Sequence, residues 1–269
     1  MVITDLDGTL LRDDQKVSEK DYNSLLWLGR KGYVRVIATG RSPYAFSRII
    51  PDDFPIDYLV FSSGAGVMDW TTKEIIVSHS LEEQKVRELA GIFRDRDVDF
   101  KVLAPIPDNH HYVYYQNGMA HPDFIKRMEY YRGFEEEICF DPPNFGTASQ
   151  ILIILPNDPT QYNNLTGLCH GVKVVRATSP IDHQSIWMEI FNPKVSKAEG
   201  IRYLCEKLSI RQSETVAVGN DFNDLDLLAF AAKSYLVDNA PAELLSLYAV
   251  VSSNNESGFS DLLVKAGIS

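Results

Sequence analysis

The sequence is poor in cysteine: Cys139, Cys169 and Cys205 are the only thiols among 269 residues. Their number is odd and no two stand in C-x-x-C spacing, which speaks against a disulfide framework and against a zinc site. Small buried hydrophobes are their expected role. Long apolar runs are missing as well. None approaches the roughly 18–20 residues that cross a bilayer, and no basic segment leads into an apolar stretch at the N-terminus, so a cytoplasmic setting is expected. Basic excess is the third absence, since Lys and Arg number 26 against 37 Asp and Glu, a formal net charge of −11. Nucleic acid and membrane surfaces bind through basic residues, so neither is expected as a partner. A small anionic ligand stays open if a metal and a few cations reverse the sign locally. No internal repeat or low-complexity tract interrupts the chain.

What is present has the balance of a folded globular protein, 45% apolar and 23% charged, with enough length for one large or two modest domains. The most informative stretch is Val2-Ile3-Thr4-Asp5-Leu6-Asp7-Gly8-Thr9. β-Branched residues favour extended backbone, and Gly8 permits a turn that a Cβ would resist. Side chains alternate along a strand, so Asp5 and Asp7 can share one face while Leu6 points inward. Two carboxylates so close repel, and a divalent cation with oxygen ligands would relieve them. On its own, Asp-x-Asp-Gly is equally an ordinary acidic turn.

Strands and helices then alternate. Ser18 and Asp21 read as a capping box for a helix ending near Gly32. Val34–Ala38 reads as a strand that stops at Thr39-Gly40-Arg41, and Ser42-Pro43 opens a helix through about Ile50. Asp57–Phe61 is a third strand, running into Ser62-Ser63-Gly64-Ala65-Gly66. The rhythm resumes late in the chain with a strand at Ile186–Ile190 and a helix from Lys197 capped by Ser196. A strand at Thr215–Val218 then ends at Gly219-Asn220-Asp221-Phe222-Asn223-Asp224, and a helix follows from Leu225. Further elements are expected at Tyr235–Val237, after Pro241, at Ala249–Val251 and from Ser260. Such alternation predicts an α/β fold, a Rossmann-like doubly wound parallel sheet with right-handed crossovers. Sites on open parallel sheets lie beyond the carboxyl ends of the strands. Asp5, Thr39, Ser63 and Asn220 each stand just past a predicted strand, so four segments can converge on one place. Between about His79 and Ser185 the pattern changes to an inserted α+β domain. The expected division is residues 1–79 and 187–269 for the core, and 80–186 for the insert.

With these motifs in order, the sequence resembles the haloacid dehalogenase-like hydrolase superfamily, in particular its Cof-type branch with a large α/β cap inserted between the second and third motifs. Asp5-Leu6-Asp7-Gly8-Thr9 matches the first motif, Thr39-Gly40-Arg41 the second, Lys197 in Val195-Ser196-Lys197 the third, and Gly219–Asp224 the fourth. Ser63-Gly64-Ala65 resembles the Asn-Gly-Ala segment that often follows the third strand. The fourth motif departs from the family pattern Gly-Asp-x-x-Asn-Asp, because Asn220 replaces the first aspartate and Asp221 follows it. The strand before Asp5 is also unusually short.

The resemblance implies a magnesium-dependent phosphatase of small phosphorylated metabolites, with sugar phosphates the expected class. Asp5 would attack phosphorus to form an aspartyl-phosphate. A carboxylate approaching a phosphate is repelled by about 4 kcal/mol per pair of unit charges at 4 Å and an effective dielectric of 20, so cations must offset it. Mg2+ held by Asp5, by the carbonyl of Asp7 and by Asn220 or Asp221 would supply most of that, with Lys197 beside Asp5. Thr39 and the Gly40 N–H would hold a phosphate oxygen, together with Lys197. Asp7 would protonate the leaving oxygen and later activate water, while Asn223 and Asp224 would orient the site. Arg41, Ser63, Gly64, His110 and His111 are candidate substrate contacts. Taken singly, Lys197 would be an ordinary solvated lysine, His110 and His111 surface residues, and Tyr112, Tyr114 and Tyr115 sheet packing. Two other readings keep the same site: a phosphomutase that retains the phosphoryl group, and a phospho-aspartate switch without turnover. An acid two residues after Asp5 argues against the switch, and Asn220 favours it.

Overall fold

The computed structural model describes every residue except Met119 and Ser269, the latter being the last residue assigned to the expected core. The chain forms two compact units, one of Met1–Val77 together with the chain from Ser196 onward, the other of Ser78–Val195.

The first unit begins with β1 (Val2–Thr4), α1 (Glu19–Arg30), β2 (Arg35–Ala38), the short α2 (Pro43–Ser47) and β3 (Tyr58–Phe61), followed by β4 (Gly66–Asp69) and β5 (Ile75–Ser78). The second holds α3 (Glu83–Arg94), β6 (Phe100–Leu103), β7 (Tyr112–Tyr115), α4 (Pro122–Tyr130), β8 (Glu135–Glu137), β9 (Gln150–Leu155), α5 (Pro159–Thr166), β10 (Lys173–Thr178) and β11 (Ile186–Phe191). The chain returns to the first unit with α6 (Lys197–Leu208), β12 (Val216–Gly219), α7 (Leu225–Phe230), β13 (Lys233–Val237), β14 (Ala249–Val251) and α8 (Gly258–Ala266). No helix among the described residues is long and apolar enough to cross a membrane.

The first sheet runs β14-β13-β12-β1-β2-β3-β4-β5. Its strands from β14 to β3 are all parallel, and β4 is antiparallel to β3. β1 lies between β12 and β2, where the winding of the chain reverses, and this is the point at which parallel α/β sheets place their sites. Ile3, Val36, Val60, Ala217 and Leu236 share a core with Ala198, Ile201 and Leu204 of α6 and with Leu227 and Leu228 of α7. The intervening strand positions Val2, Ile37, Leu59 and Val218 are buried too, as a sheet covered on both faces requires. Ser18 caps α1 as expected, accepting from the Asp21 N–H at 3.0 Å. Asp21 goes further: its other oxygen accepts from the Ser260 backbone and hydroxyl at 2.9 and 2.6 Å, tying α1 to α8.

Three expectations are corrected. Ile186–Ile190, read as a core strand, belongs to the other sheet, whose order is β10-β11-β9-β6-β7-β8. It pairs antiparallel with β10 and β9 along its length, so the second unit extends past the expected boundary at 186/187. Its apolar run fits either sheet, and pairing partners are not written in a strand's own residues. The residues after Pro241 form turns rather than a helix. β4, β5 and β8 were not anticipated; Glu135–Glu137 has no β-forming composition and is strand only by pairing with β7.

In the second sheet Phe100, Val102, Val113, Ile151, Ile153, Ile186 and Met188 face Val86, Leu89 and Phe93 of α3. The alternate residues are unusually polar. Lys101 is fully buried and its Nζ donates to the Phe124 carbonyl at 3.2 Å, Trp187 donates to Asp123 at 2.7 Å, and Gln150 donates to Glu189 at 2.9 Å.

Candidate active site

β1 ends at Thr4, and its parallel pairing continues one step as the Asp5 N–H donates to the Val218 carbonyl at 2.9 Å. Leu6 then turns fully into the core, which leaves Asp5 at the carboxyl edge of the sheet. Asp5 is only 4% exposed. Its Oδ1 accepts from Lys197 Nζ at 2.7 Å, and the same ammonium donates to Asp224 Oδ1 at 2.6 Å. Lys197 and Asp224 are 1% and 0% exposed, so one buried ammonium is shared between two buried carboxylates.

Lys197 opens α6, an unfavourable end of a helix for a positive charge. The two carboxylates reverse that penalty. Burial alone would lower the pKa of Lys197, but Asp224 and Asp5 outweigh it and hold the ammonium well above its ordinary value. Asp5 is pushed up to about 7, first by burial and then by the Asp224 charge, with Lys197 opposing. The start of α6 is fixed by Ser196, which accepts from the Glu199 N–H at 3.2 Å, and by the loop after β3. Gly64 in that loop has φ +99°, and a Cβ there would stand 2.0 Å from the Ser196 carbonyl oxygen. Only glycine lets this loop lie against the helix that carries Lys197.

Asp224 also organises the turn after β12. Its Oδ2 accepts from the backbone N–H of Asn220 at 2.9 Å and of Asp221 at 3.1 Å. The side chain folds over Gly219, where a Cβ would lie 2.5 Å from its carboxyl carbon. Asn223 Oδ1 reaches Lys197 Nζ at 3.5 Å, the outer limit of a hydrogen bond.

Asp7 is held apart from this cluster. Arg41 grips it with two parallel bonds, Nε to Oδ2 at 2.8 Å and Nη2 to Oδ1 at 2.6 Å, and Nη2 also donates to Gln15 at 3.0 Å. The sequence suggested Arg41 only as a substrate contact; the structure joins it to the second carboxylate. Thr39 is fully buried and its hydroxyl accepts from the Arg41 N–H at 3.1 Å. The loops after β2 and β3 are bonded through Ser63 N–H to the Thr39 carbonyl and Ser62 N–H to the Arg41 carbonyl, at 3.0 and 2.9 Å. A Cβ on Gly40 would meet Ser63 Oγ at 3.5 Å and Asn223 Nδ2 at 3.9 Å. Thus Asp5, Asp7, Thr39, Gly40, Arg41, Ser63, Gly64, Lys197, Asn220, Asp221, Asn223 and Asp224 come from loops at the ends of four neighbouring parallel strands, β12, β1, β2 and β3, and from the start of α6. His110 and His111 lie in the second unit, where their rings pack 4.5 Å apart and each meets Phe134 at 4.8 Å.

Thr9, Gly8, Ser196 and Gly219 lie inside the motifs without a part in the expected chemistry, and the structure gives each a place around the site. Thr9 and Gly8 surround Asn220: the inward arm of its amide lies 3.1 Å from Thr9 Oγ1, 3.2 Å from Asp5 Oδ2 and 3.1 Å from the Asp7 carbonyl oxygen. The outer arm would stand 2.6 Å from a Cβ on Gly8. Among the described residues no three His, Cys, Asp or Glu side chains form a metal-binding group. A cation here would instead be bound by one carboxylate, one backbone carbonyl and one amide oxygen, all hard donors of the kind Mg2+ takes. The spacing fits, because neighbouring ligands of an octahedral Mg2+ with bonds of 2.0–2.1 Å stand about 2.9 Å apart. The charge fits as well: among the residues gathered here the carboxylates Asp5, Asp7, Asp221 and Asp224 outnumber Lys197 and Arg41 by two.

Residues 2–263 match the family model of the haloacid dehalogenase-like hydrolases. The chain belongs to this family. A phosphatase of Bacillus subtilis, YwpJ, is 24% identical over 297 residues, covering 98% of both chains. Among solved structures, a phosphatase of the haloacid dehalogenase superfamily from Bacteroides thetaiotaomicron aligns over 100% of this chain and 95% of its own, with a TM-score of 0.81 and 21% identity. A sugar phosphatase of subclass IIB aligns over 100% and 99%, with a TM-score of 0.79 and 18% identity. At these identities the structures speak for the fold, a Rossmann-like core with a cap. In this haloacid dehalogenase-like hydrolase, the Asp5–Lys197–Asp224 cluster stands where that fold's parallel strands end.

Proposed function

We propose that this chain is a phosphatase that hydrolyses small phosphorylated metabolites, sugar phosphates in the first instance, through an aspartyl-phosphate on Asp5. The observation that carries the reading is the buried Asp5–Lys197–Asp224 cluster, with a second carboxylate, Asp7, two residues after the first. Asp5 would attack phosphorus, forming a bond from its carboxylate oxygen while the bond to the leaving oxygen breaks. Asp7 would give its proton to that oxygen, then take one from the water that attacks the phosphoryl group and frees Asp5. The two parallel bonds from Arg41 would orient Asp7 for both steps. Lys197 offsets the charge of Asp5 and of the arriving phosphate, and Asp224 fixes the ammonium in place. Thr39, the Gly40 N–H and Ser63 would receive phosphate oxygens. Mg2+ would be held by Asp5, the Asp7 carbonyl and Asn220, in preference to Asp221, and when bound would supply the positive charge that draws in the phosphate and favours ionised Asp5. Residues of the second unit would choose the leaving group.

The test is release of inorganic phosphate from p-nitrophenyl phosphate and a panel of sugar phosphates and nucleotides, in magnesium and in chelator. Magnesium-dependent release that is fastest for a sugar phosphate is the expected result. No release from any member at saturating magnesium would overturn the reading.

A further inference from the structure

The inward arm of Asn220 faces two atoms that can only accept when Asp5 is ionised, Asp5 Oδ2 at 3.2 Å and the Asp7 carbonyl at 3.1 Å. An amide presents either of two arms. With its NH2 inward it donates to both acceptors; with its oxygen inward and Asp5 ionised three acceptors converge, an arrangement that a cation holds together. Thr9 Oγ1, at 3.1 Å from the same arm, donates to the oxygen in the second state; in the first, where the two amide hydrogens go to Asp5 and Asp7, it receives at most a shared hydrogen. Gly8 leaves room for the outer arm in both, because no Cβ stands where that arm lies. A carboxylate at this position has no such choice.

We propose that Asn220 is a self-plugging ligand: without a divalent cation its NH2 hydrogens point into the cation's place, and binding requires the amide to turn over. The cation therefore competes with two internal hydrogen bonds and meets one negative charge fewer than an aspartate would provide. Both effects weaken the site, and the affinity becomes a property of residue 220 rather than of Asp221. The chain would fill only where magnesium is plentiful, and its occupancy would respond to magnesium levels at which a carboxylate site is already saturated.

The inference rests on the cation site of the phosphatase reading, but the test is made without substrate. Mn2+ binding is followed by electron paramagnetic resonance of the free ion, and Mg2+ by competition, in wild type, Asn220→Asp and Asp221→Ala. Asn220→Asp should tighten binding at least tenfold, and Asp221→Ala should leave it within threefold. In wild type, the side-chain NH2 signals of Asn220, identified by their loss in Asn220→Asp, should shift as Mg2+ is added, and their hydrogens should exchange faster with solvent. An unmoved amide signal at saturating Mg2+, binding in Asn220→Asp no tighter than wild type, or loss of binding in Asp221→Ala would each overturn the proposal. A protein that binds the cation in this way but hydrolyses nothing would sink the phosphatase reading alone.

Discussion

At the scale of single residues, Lys197 makes the strongest statement. Its ammonium is enclosed between Asp5 and Asp224 at 2.7 and 2.6 Å, with no solvent to share the charge. Removing one partner of a buried ion pair costs about 3–5 kcal/mol, because the remaining charges have no counter-ion. Lys197→Met should therefore lose up to that much stability in urea unfolding at neutral pH, and less as the pH falls, because Asp5, pushed up to about 7 even with Lys197 beside it, takes up a proton in the folded variant. An unfolding midpoint equal to wild type would show that the cluster is not buried as described. Arg41 offers a second test. Lysine cannot reproduce its two parallel bonds to Asp7. Arg41→Lys should lower kcat on the order of 10²-fold through a misplaced Asp7, with KM little changed. A raised KM with unchanged kcat would return Arg41 to the role of a substrate contact.

At the scale of elements, the site depends on how loops lean on one another. The loop after β3 touches the first turn of α6 at Gly64, where φ is +99° and the Ser196 carbonyl blocks any Cβ. Gly64→Ala should cost about 1–3 kcal/mol and displace Lys197, so kcat should fall with stability. Gly91→Ala is the control, since a Cβ there meets nothing within 4 Å and lies inside α3. It should be neutral or stabilising by up to about 1 kcal/mol. If Gly64→Ala behaves like Gly91→Ala, the loop does not brace the helix.

The strands ending at Asp5, Thr39, Ser63 and Asn220 were legible because each joins an apolar run to small polar residues, a local signal. The capping serines Ser18, Ser42 and Ser196 were legible for the same reason. Partners were not. Ile186–Phe191 is a sound strand that pairs with β9 and β10, and nothing within it says so. The Arg41–Asp7 grip and the Thr9–Asn220 contact join residues 34 and 211 positions apart, and only the folded sheet brings them together.

At the scale of the whole molecule, the second unit carries a cost that the chemistry described above does not use. Lys101 sits wholly buried between the rings of Tyr112 and Phe124, at 4.9 and 4.2 Å. Burial, reinforced by Arg127 and opposed by Asp123 and Glu135, lowers its pKa from 10.5 to about 6. Between those values the unfolded chain holds a proton that the folded chain lacks, so the contribution of this site to stability rises with pH across that window. Below about pH 6 the full penalty of a buried charge applies. Lys101→Met should raise stability by roughly 1–4 kcal/mol at pH 7 and flatten the slope of stability from pH 6 to 9. A destabilised variant, or an unchanged slope, would mean that the ammonium is retained in the fold.

Hydrolysis by this route passes through one covalent bond, between Asp5 and phosphorus, which acid quenching during turnover followed by mass spectrometry of the Asp5 peptide detects. With p-nitrophenyl phosphate, whose leaving group departs without a proton, wild type and Asp7→Asn should both carry a phosphoryl group on Asp5, more of it in Asp7→Asn because water is no longer activated to release it, and Asp5→Asn should carry none. Phosphate released at the wild-type rate by Asp5→Asn, or a phosphoryl group found on another side chain, would rule out Asp5 as the nucleophile.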